Sequence, residues 1–508
     1  MRRSARGALR AVDPLTANGI DAQSKLDLSI RKSIGAPQRR SIDGQLIYNL
    51  LASGRVTRLV SQSEWNTREV TLMKCPRRLG FALVVAAMVA ASPLAAQQDQ
   101  QAQQAPYKLG IVTFLSGAAA GPFGVPARNA AELLIEALNA GKVPAPYDKK
   151  GINGVPIEPV IVDEAGGTTK QVTEYRNLVQ RQNVDAVIGY ISSGDCLAIA
   201  PLADELKKIT IFFDCGTPRI FEDANYKYLF RTGATATMDN VAAARYLLAR
   251  NPNAKSIAGI NQNYAWGQDS WNDFKASVEA LKPGTKITTE QFPKLLAGQY
   301  GAEISALLVD KPDAVHSSFW GGDMEALVLQ GKARGIFDDR NVVLTCGETA
   351  MYRLASQIPS GAILGGRGPH GVYAPDNALN RWFRAAYTER YGTPPTYPSY
   401  KMAQAILGLK AATEKAAAGN PGRPSDDAVI AAFEGLSFET PSGTVDMKIG
   451  KGHQAIQSTA YGRFKYDAAS GQPTMTDVTV YAAECVNPPD GVKSEDWIKG
   501  GFKGAKCP

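Results

Sequence analysis

Three histidines in 508 residues, and six cysteines with no C-x-x-C among them, leave little from which to build a metal centre. His316, His370 and His453 stand far apart in sequence. Also missing are G-x-S-x-G, a Walker A loop, H-E-x-x-H, and a G-x-G-x-x-G between a strand pattern and a helix pattern. Their absence removes the usual signatures of serine hydrolases, P-loop enzymes, zinc proteases and dinucleotide enzymes. Cys215 and Cys346 have no histidine near them in sequence to activate a thiol. No catalysis, no metal and no cofactor are expected.

Charge is missing where the overall figure suggests it. The formal net charge is +8, but the basic excess is confined to the first 96 residues and the rest is close to neutral. A surface for nucleic acid is not expected. What is present is ordinary globular usage, 44% hydrophobic and 20% charged, with chain enough for two to four domains.

Met73 opens a cationic segment containing Lys74, Arg77 and Arg78, and residues 79–91 form a short apolar run. Small residues at 92–96 and a Gln-rich stretch at 97–104 follow. This order predicts a secretory signal peptide over 73–96 and a linker over 97–106. The run falls short of the ~20 apolar residues of a membrane span. Residues 1–72, rich in Arg, Ser and Gln without periodicity, are expected to be a mis-called extension or a disordered basic leader. The expected location is the periplasm.

From residue 107 the pattern alternates. β runs at 108–114, 157–163, 184–189 and 209–213 are separated by apolar residues at helical spacing over 129–139, 169–182 and 196–206. A second series begins at 256–260 and runs to 342–345, and a mostly helical region covers 381–433. Alternation of this kind implies parallel sheets covered on both faces, in two doubly wound α/β lobes.

The stretches KLGIVTFLSGAAAGPFGVPARNAAELLIEALN (108–139), VIVDEAGGTTKQVTEYRNLV (160–179), VDAVIGYISSGDCLAIAPLADE (184–205), NQNYAWGQD (261–269) and FWGGDMEALVLQGKARGI (319–336) carry a likeness in their order and spacing. The chain resembles periplasmic leucine/isoleucine/valine-binding proteins of ABC importers. That resemblance implies a type I periplasmic-binding-protein fold of two Rossmann-like lobes joined by three hinge crossings. Lobe 1 is expected over 107–232 plus about 370–450, lobe 2 over 233–369 plus about 451–485, and a tail over 486–508. It also implies a monomer that closes over a small amino acid or organic acid and delivers it to ABC permease subunits. A ligand-sensing receptor module of the same fold is the alternative, as is a binder of an amide or of an aromatic acid lacking an amine.

Ligands of doubly wound sheets sit beyond the carboxyl ends of the strands. Tyr190, Ser192, Ser193 and Gly194 occupy such a position, where helix N-terminal amides favour an anion. The bland reading is that a serine there merely caps the helix. The resemblance adds Cys215, Gly216 and Thr217 as contacts to the same carboxylate. It makes Trp266 an aromatic lid, with Tyr264 in reserve, and Glu348 the partner of a ligand ammonium. Phe123, Trp320 and Gly321 lie in further loops of the expected cleft. If Glu348 does not face inward, an acid without an amine becomes the better ligand.

Five cysteines follow residue 96. Cys196 and Cys215 are expected at one carboxyl edge, at a separation compatible with a disulfide if strands three and four are neighbours. Cys485 and Cys507 bracket the tail, whose low apolar content gives it little else to hold it down. The rival pairing, Cys215 with Cys346, would lock the lobes across the cleft.

Overall fold

The computed structural model describes residues 105–507. The expected extension, the signal peptide and nearly all of the Gln-rich linker lie outside the described residues.

The first sheet is doubly wound. β1 (Tyr107–Thr113) is flanked by β2 (Ile157–Asp163) and β3 (Ala186–Gly189), followed by β4 (Thr210–Phe212) and β5 (Leu229–Arg231), all parallel. Ile111 pairs with Ile188, and both faces of β1 are buried: Leu109 and Ile111 on one side, Val112 on the other. Such two-sided burial is why these strands read as continuous apolar runs.

Helices cover both faces. In α1 (Val125–Ala140), Ala127, Ala130, Ala131, Leu134 and Leu138 return every three or four residues to the sheet side. Pro126 sits in its first turn and Gly141 ends it in a left-handed conformation with φ 66°. The other helices of this first series are α2 (Thr168–Arg176), α3 (Ser193–Glu205) and the single turn α4 (Arg219–Glu222).

The second sheet repeats the winding. β6 (Ser256–Ile260) lies between β7 (Lys286–Gln291) and β8 (Ala314–Ser317), followed by β9 (Asn341–Leu344) and β10 (Ile363–Gly365). Its helices are α5 (Ala236–Arg250), α6 (Ala265–Leu281), α7 (Gly301–Val309) and α8 (Gly322–Ala333). Each lobe then receives chain from the other's neighbourhood. α9 (Ala378–Tyr391), α10 (Tyr397–Ala417) and α11 (Asp426–Phe433) share the core of α1. The antiparallel pair β14 (Thr459–Asp467) and β15 (Gln472–Tyr481) extends the second sheet beyond β10.

Two expectations shift. The region after 433 also carries β11 (Ser437–Thr440), β12 (Gly443–Ile449) and β13 (Gln454–Ile456), which complete the first sheet beside β5. The third crossing therefore falls at 457–458, not near 450. These strands are short and only half apolar, so their period of two was hidden. The tail is also better anchored than its composition suggests. α12 (Ala483–Val486) and α13 (Ser494–Lys499) pack on the second lobe, with Trp497, Ile498 and Phe502 buried beside α5 and α6. Arg245 lies 4.6 Å over the Phe502 ring. Burial of each such side chain is worth roughly 1.5–3 kcal/mol. Cys196 is bonded to Cys215 and Cys485 to Cys507, while Cys346 is free and buried.

Candidate functional site

The loops at the carboxyl ends of both sheets meet in an aromatic cleft. Phe123 is placed by a wide, π-type helical turn, Ala120–Gly124, that leads into α1. Trp320 comes from the other lobe, beyond β8. Its ring centroid lies 5.3 Å from Phe123 and 5.7 Å from Phe114. Trp320 Nε1 donates to Tyr264 Oη at 2.7 Å, and Trp266 Nε1 donates to the Ser318 carbonyl at 2.8 Å. Both indoles thus satisfy their donors within the second lobe and leave their faces to the cleft.

Close approach of the walls requires glycine at two points. A side chain on Gly216 would fall 2.3 Å from the Trp266 ring and 2.6 Å from Arg367 Nη2. Gly321 has φ 62° and lies against Ala119, which lets Gly322 N donate to the Ala118 carbonyl across the lobes at 2.9 Å. Thr217 Oγ1 donates to Asp269 Oδ2 at 2.6 Å and Arg219 Nε to Asp269 Oδ1 at 3.0 Å, a second interlobe contact. The cavity enclosed is lined by Phe123, Ile191, Asp214, Gly216, Tyr264, Trp266, Trp320, Cys346 and Arg367, and holds about 10 Å³. That is room for about one water, so a solute enters only when the lobes part.

Several expected contacts are engaged elsewhere. Tyr190 points away from the cleft, into the core containing Tyr175 and Phe212, and its neighbour Ile191 faces the cavity instead. Consecutive residues leaving a strand diverge to opposite faces, and sequence did not say which. Ser192 caps α3, accepting from Asp195 N at 3.4 Å. The amides just ahead of α3 hold a carboxylate from the chain itself. Buried Glu164 accepts from Ile191 N at 2.8 Å and Ser192 N at 2.8 Å. Ser193 Oγ accepts from the Gly216 and Thr217 amides, each at 3.2 Å. Cys215 is in its disulfide, and Gly194 and Gly321 are not in the cavity wall.

Glu348 does not face the cavity. It is buried, accepting from Tyr397 N at 2.9 Å at the start of α10, with its other oxygen toward the Gly371 turn. Burial pushes its carboxyl up to about 7. It joins the second lobe to the first rather than waiting for an ammonium group.

The group that sequence reasoning missed is the charged floor. Arg367, just beyond β10 in the second crossing, lies 4.2 Å over the Trp266 ring. Its Nη1 donates to Asp214 Oδ1 at 2.7 Å and its Nε to Asp239 Oδ2 at 2.9 Å. Lys401 Nζ donates to the same Asp214 oxygen at 2.8 Å. All four side chains are buried. Burial alone would lower the Arg367 pKa, but Asp214 and Asp239 hold it well above its ordinary value. Burial, then the Arg367 charge, pull Lys401 down to about 8. Asp214 directly follows the fourth β run, so the strand-end rule could have found it. β10, which precedes Arg367, went unseen.

The histidines are structural. His316 stacks on Phe274 at 4.2 Å, its Nε2 is 2.7 Å from Asn240 Oδ1, and burial pushes it down to about 3. Among the described residues no group of three or more His, Cys, Asp or Glu side chains is arranged to hold a metal ion.

Two doubly wound lobes closing a cleft define a solute-binding architecture. The chain belongs to the periplasmic binding protein family, whose pattern it matches over residues 106–472. Solved structures agree in fold. An ABC-transporter solute-binding protein from R. palustris in complex with benzoate is 20% identical with a TM-score of 0.64, covering 77% of this chain and 100% of its own. The leucine-binding protein LivK of Thermotoga maritima is 19% identical with a TM-score of 0.60, covering 73% and 98%. The branched-chain amino acid binding protein LivJ of Streptococcus pneumoniae, in complex with isoleucine, is 18% identical with a TM-score of 0.62, covering 74% and 100%. No curated protein matches the chain. The protein is thus a substrate-binding protein of an extracytoplasmic family, and no helix among the described residues is long and apolar enough to cross a membrane.

Proposed function

We propose that this chain captures a small apolar or aromatic carboxylic acid lacking an amine, by hinge closure in the periplasm, and delivers it as a monomer to an ABC import permease. The observation that carries this reading is the convergence of Phe123, Tyr264, Trp266 and Trp320 from both lobes around Arg367, the one cation in the cavity wall. Flat apolar faces suit a ring or branched body, and the guanidinium, held in the closed cleft by Asp214, Asp239 and the Ala234 carbonyl, suits a carboxylate once a ligand displaces its Nη2 from that carbonyl. An α-amino acid is disfavoured because its ammonium finds no free acid. Asp214 is taken by Arg367 and Lys401, and Glu348 lies outside the cavity.

The charges of Arg367 and Lys401 cancel those of Asp214 and Asp239. That balance favours, as a second reading, a neutral aromatic amide. Thermal-shift titration with benzoate, benzamide, phenylalanine and leucine separates them, since a ligand of the native state stabilises by RT ln(1 + [L]/Kd). Benzoate should raise Tm most. A shift with leucine and none with benzoate would overturn the acid reading, and a shift with benzamide alone would select the amide.

A further inference from the structure

A second cavity, of about 190 Å³ against about 10 Å³ in the cleft, opens between the first lobe and the tail. Its floor is Arg231 at the end of β5, its sides are Phe221 and the turn at 449–451, and its roof is the segment 488–493. The roof is tied down at Asp490 and at Lys493. Gly450 N donates to Asp490 Oδ1 at 2.7 Å, and Lys493 Nζ pairs with Asp223 at 2.7 Å.

Arg231 is the unusual element. It is fully buried, yet among the described residues no carboxylate pairs with it. Nη1 donates to the carbonyls of Cys215 and Thr217, Nε to Gln454, and Nη2 has no hydrogen-bond partner among the described residues. Its guanidinium stands 5.6 Å over the Phe221 ring. A buried cation without a directly paired counter-charge is costly, and here burial, then the Arg367 charge, pull its pKa down to about 9 against the opposing charge of Glu222. Glu222 and Asp490 share the wall, but Glu222 accepts from Ser494 N at 3.1 Å and Asp490 from the loop amide. Lys451 adds positive charge at the rim, while Lys493 is paired with Asp223.

We infer that this cavity is a second binding site, for a small organic anion with an apolar body such as an aromatic monocarboxylate. The carboxylate meets the open edge of Arg231, and the body lies against Phe221, Ile449 and Val492. Ion pairing and removal of apolar surface from water then act together. The site is separate from the cleft, although Arg231 touches the loop that carries Gly216.

The test is ¹⁹F NMR titration of the full chain with 4-fluorobenzoate. Trp320→Ala weakens the cleft and leaves this cavity untouched, so a saturable bound signal should persist in that variant. Adding Val492→Trp, which fills the cavity from an exposed tail position, or Arg231→Gln should raise the Kd of that signal at least tenfold. Val492→Trp keeps the test informative should Arg231→Gln fail to fold. A signal in Trp320→Ala that ignores Val492→Trp would overturn the inference, as would no saturation up to about 10 mM. If the cleft reading alone is wrong, the wild-type chain shows one site, sensitive to Val492→Trp and indifferent to Trp320→Ala.

Discussion

Replacing Arg367 by Gln removes one cation from a network of four buried charges. Asp214 keeps Lys401 at 2.8 Å, but Asp239 loses the guanidinium at 2.9 Å, its only ion pair among the described residues. Taking one partner from a buried pair typically costs about 3–5 kcal/mol, because the other charge stays buried and uncompensated. The lower end is expected here, since burial already raises the Asp239 pKa and the carboxyl can take up a proton. About 3 kcal/mol is a change of roughly 150-fold in the folded-to-unfolded ratio. With a folded pKa raised further above its unfolded value, Asp239 binds a proton that the unfolded chain releases, so the deficit grows with pH. Urea unfolding at pH 5 and pH 8 reads both effects, and Asp239→Asn in the Arg367→Gln background should recover much of the loss at pH 8. A loss under about 1 kcal/mol at pH 8, or one no smaller at pH 5, would refute the reasoning.

Three further outcomes follow from the same geometry. Glu348, neutral in the fold up to about pH 7, destabilises as pH rises from its usual range near 4.5 through 7, by roughly 3 kcal/mol in all. Glu348→Gln should therefore raise Tm at pH 8 and leave it nearly unchanged at pH 4.5; equal shifts at both would count against it. Asp269→Asn weakens the contact of the second lobe with Thr217 and Arg219, so small-angle scattering should show a larger mean radius of gyration without ligand. An unchanged radius would mean that this contact does not hold the lobes together. Cys485→Ser with Cys507→Ser frees a 22-residue separation, costing the docked tail about 3 kcal/mol, visible as faster hydrogen exchange over 488–502. Unaltered exchange there would show that Trp497 and Phe502 hold the tail alone.

Local pattern carried much of this architecture. Strands buried on both faces must be apolar throughout, and helices on a sheet must repeat every three or four residues, so β6 and α11 were legible almost to the residue. The order of such segments carried the family likeness, and the wall aromatics Phe123, Tyr264, Trp266 and Trp320 fell at strand-end loops that could be counted along the chain. What sequence could not supply was which of two neighbours turns inward, and what each polar group meets when it arrives. Tyr190 went to the core and Ile191 to the cavity, Glu164 took the amides just ahead of α3, and Glu348 was used between the lobes. Arg367, Asp214, Asp239 and Lys401 are separated by up to 187 residues and meet only because the crossings bring three parts of the chain to one floor. Hydrophobic periodicity is a property of nearest neighbours along the chain and survives in sequence. Hydrogen-bond and charge partnership is decided by proximity in space, and only the closed tertiary structure assigns it.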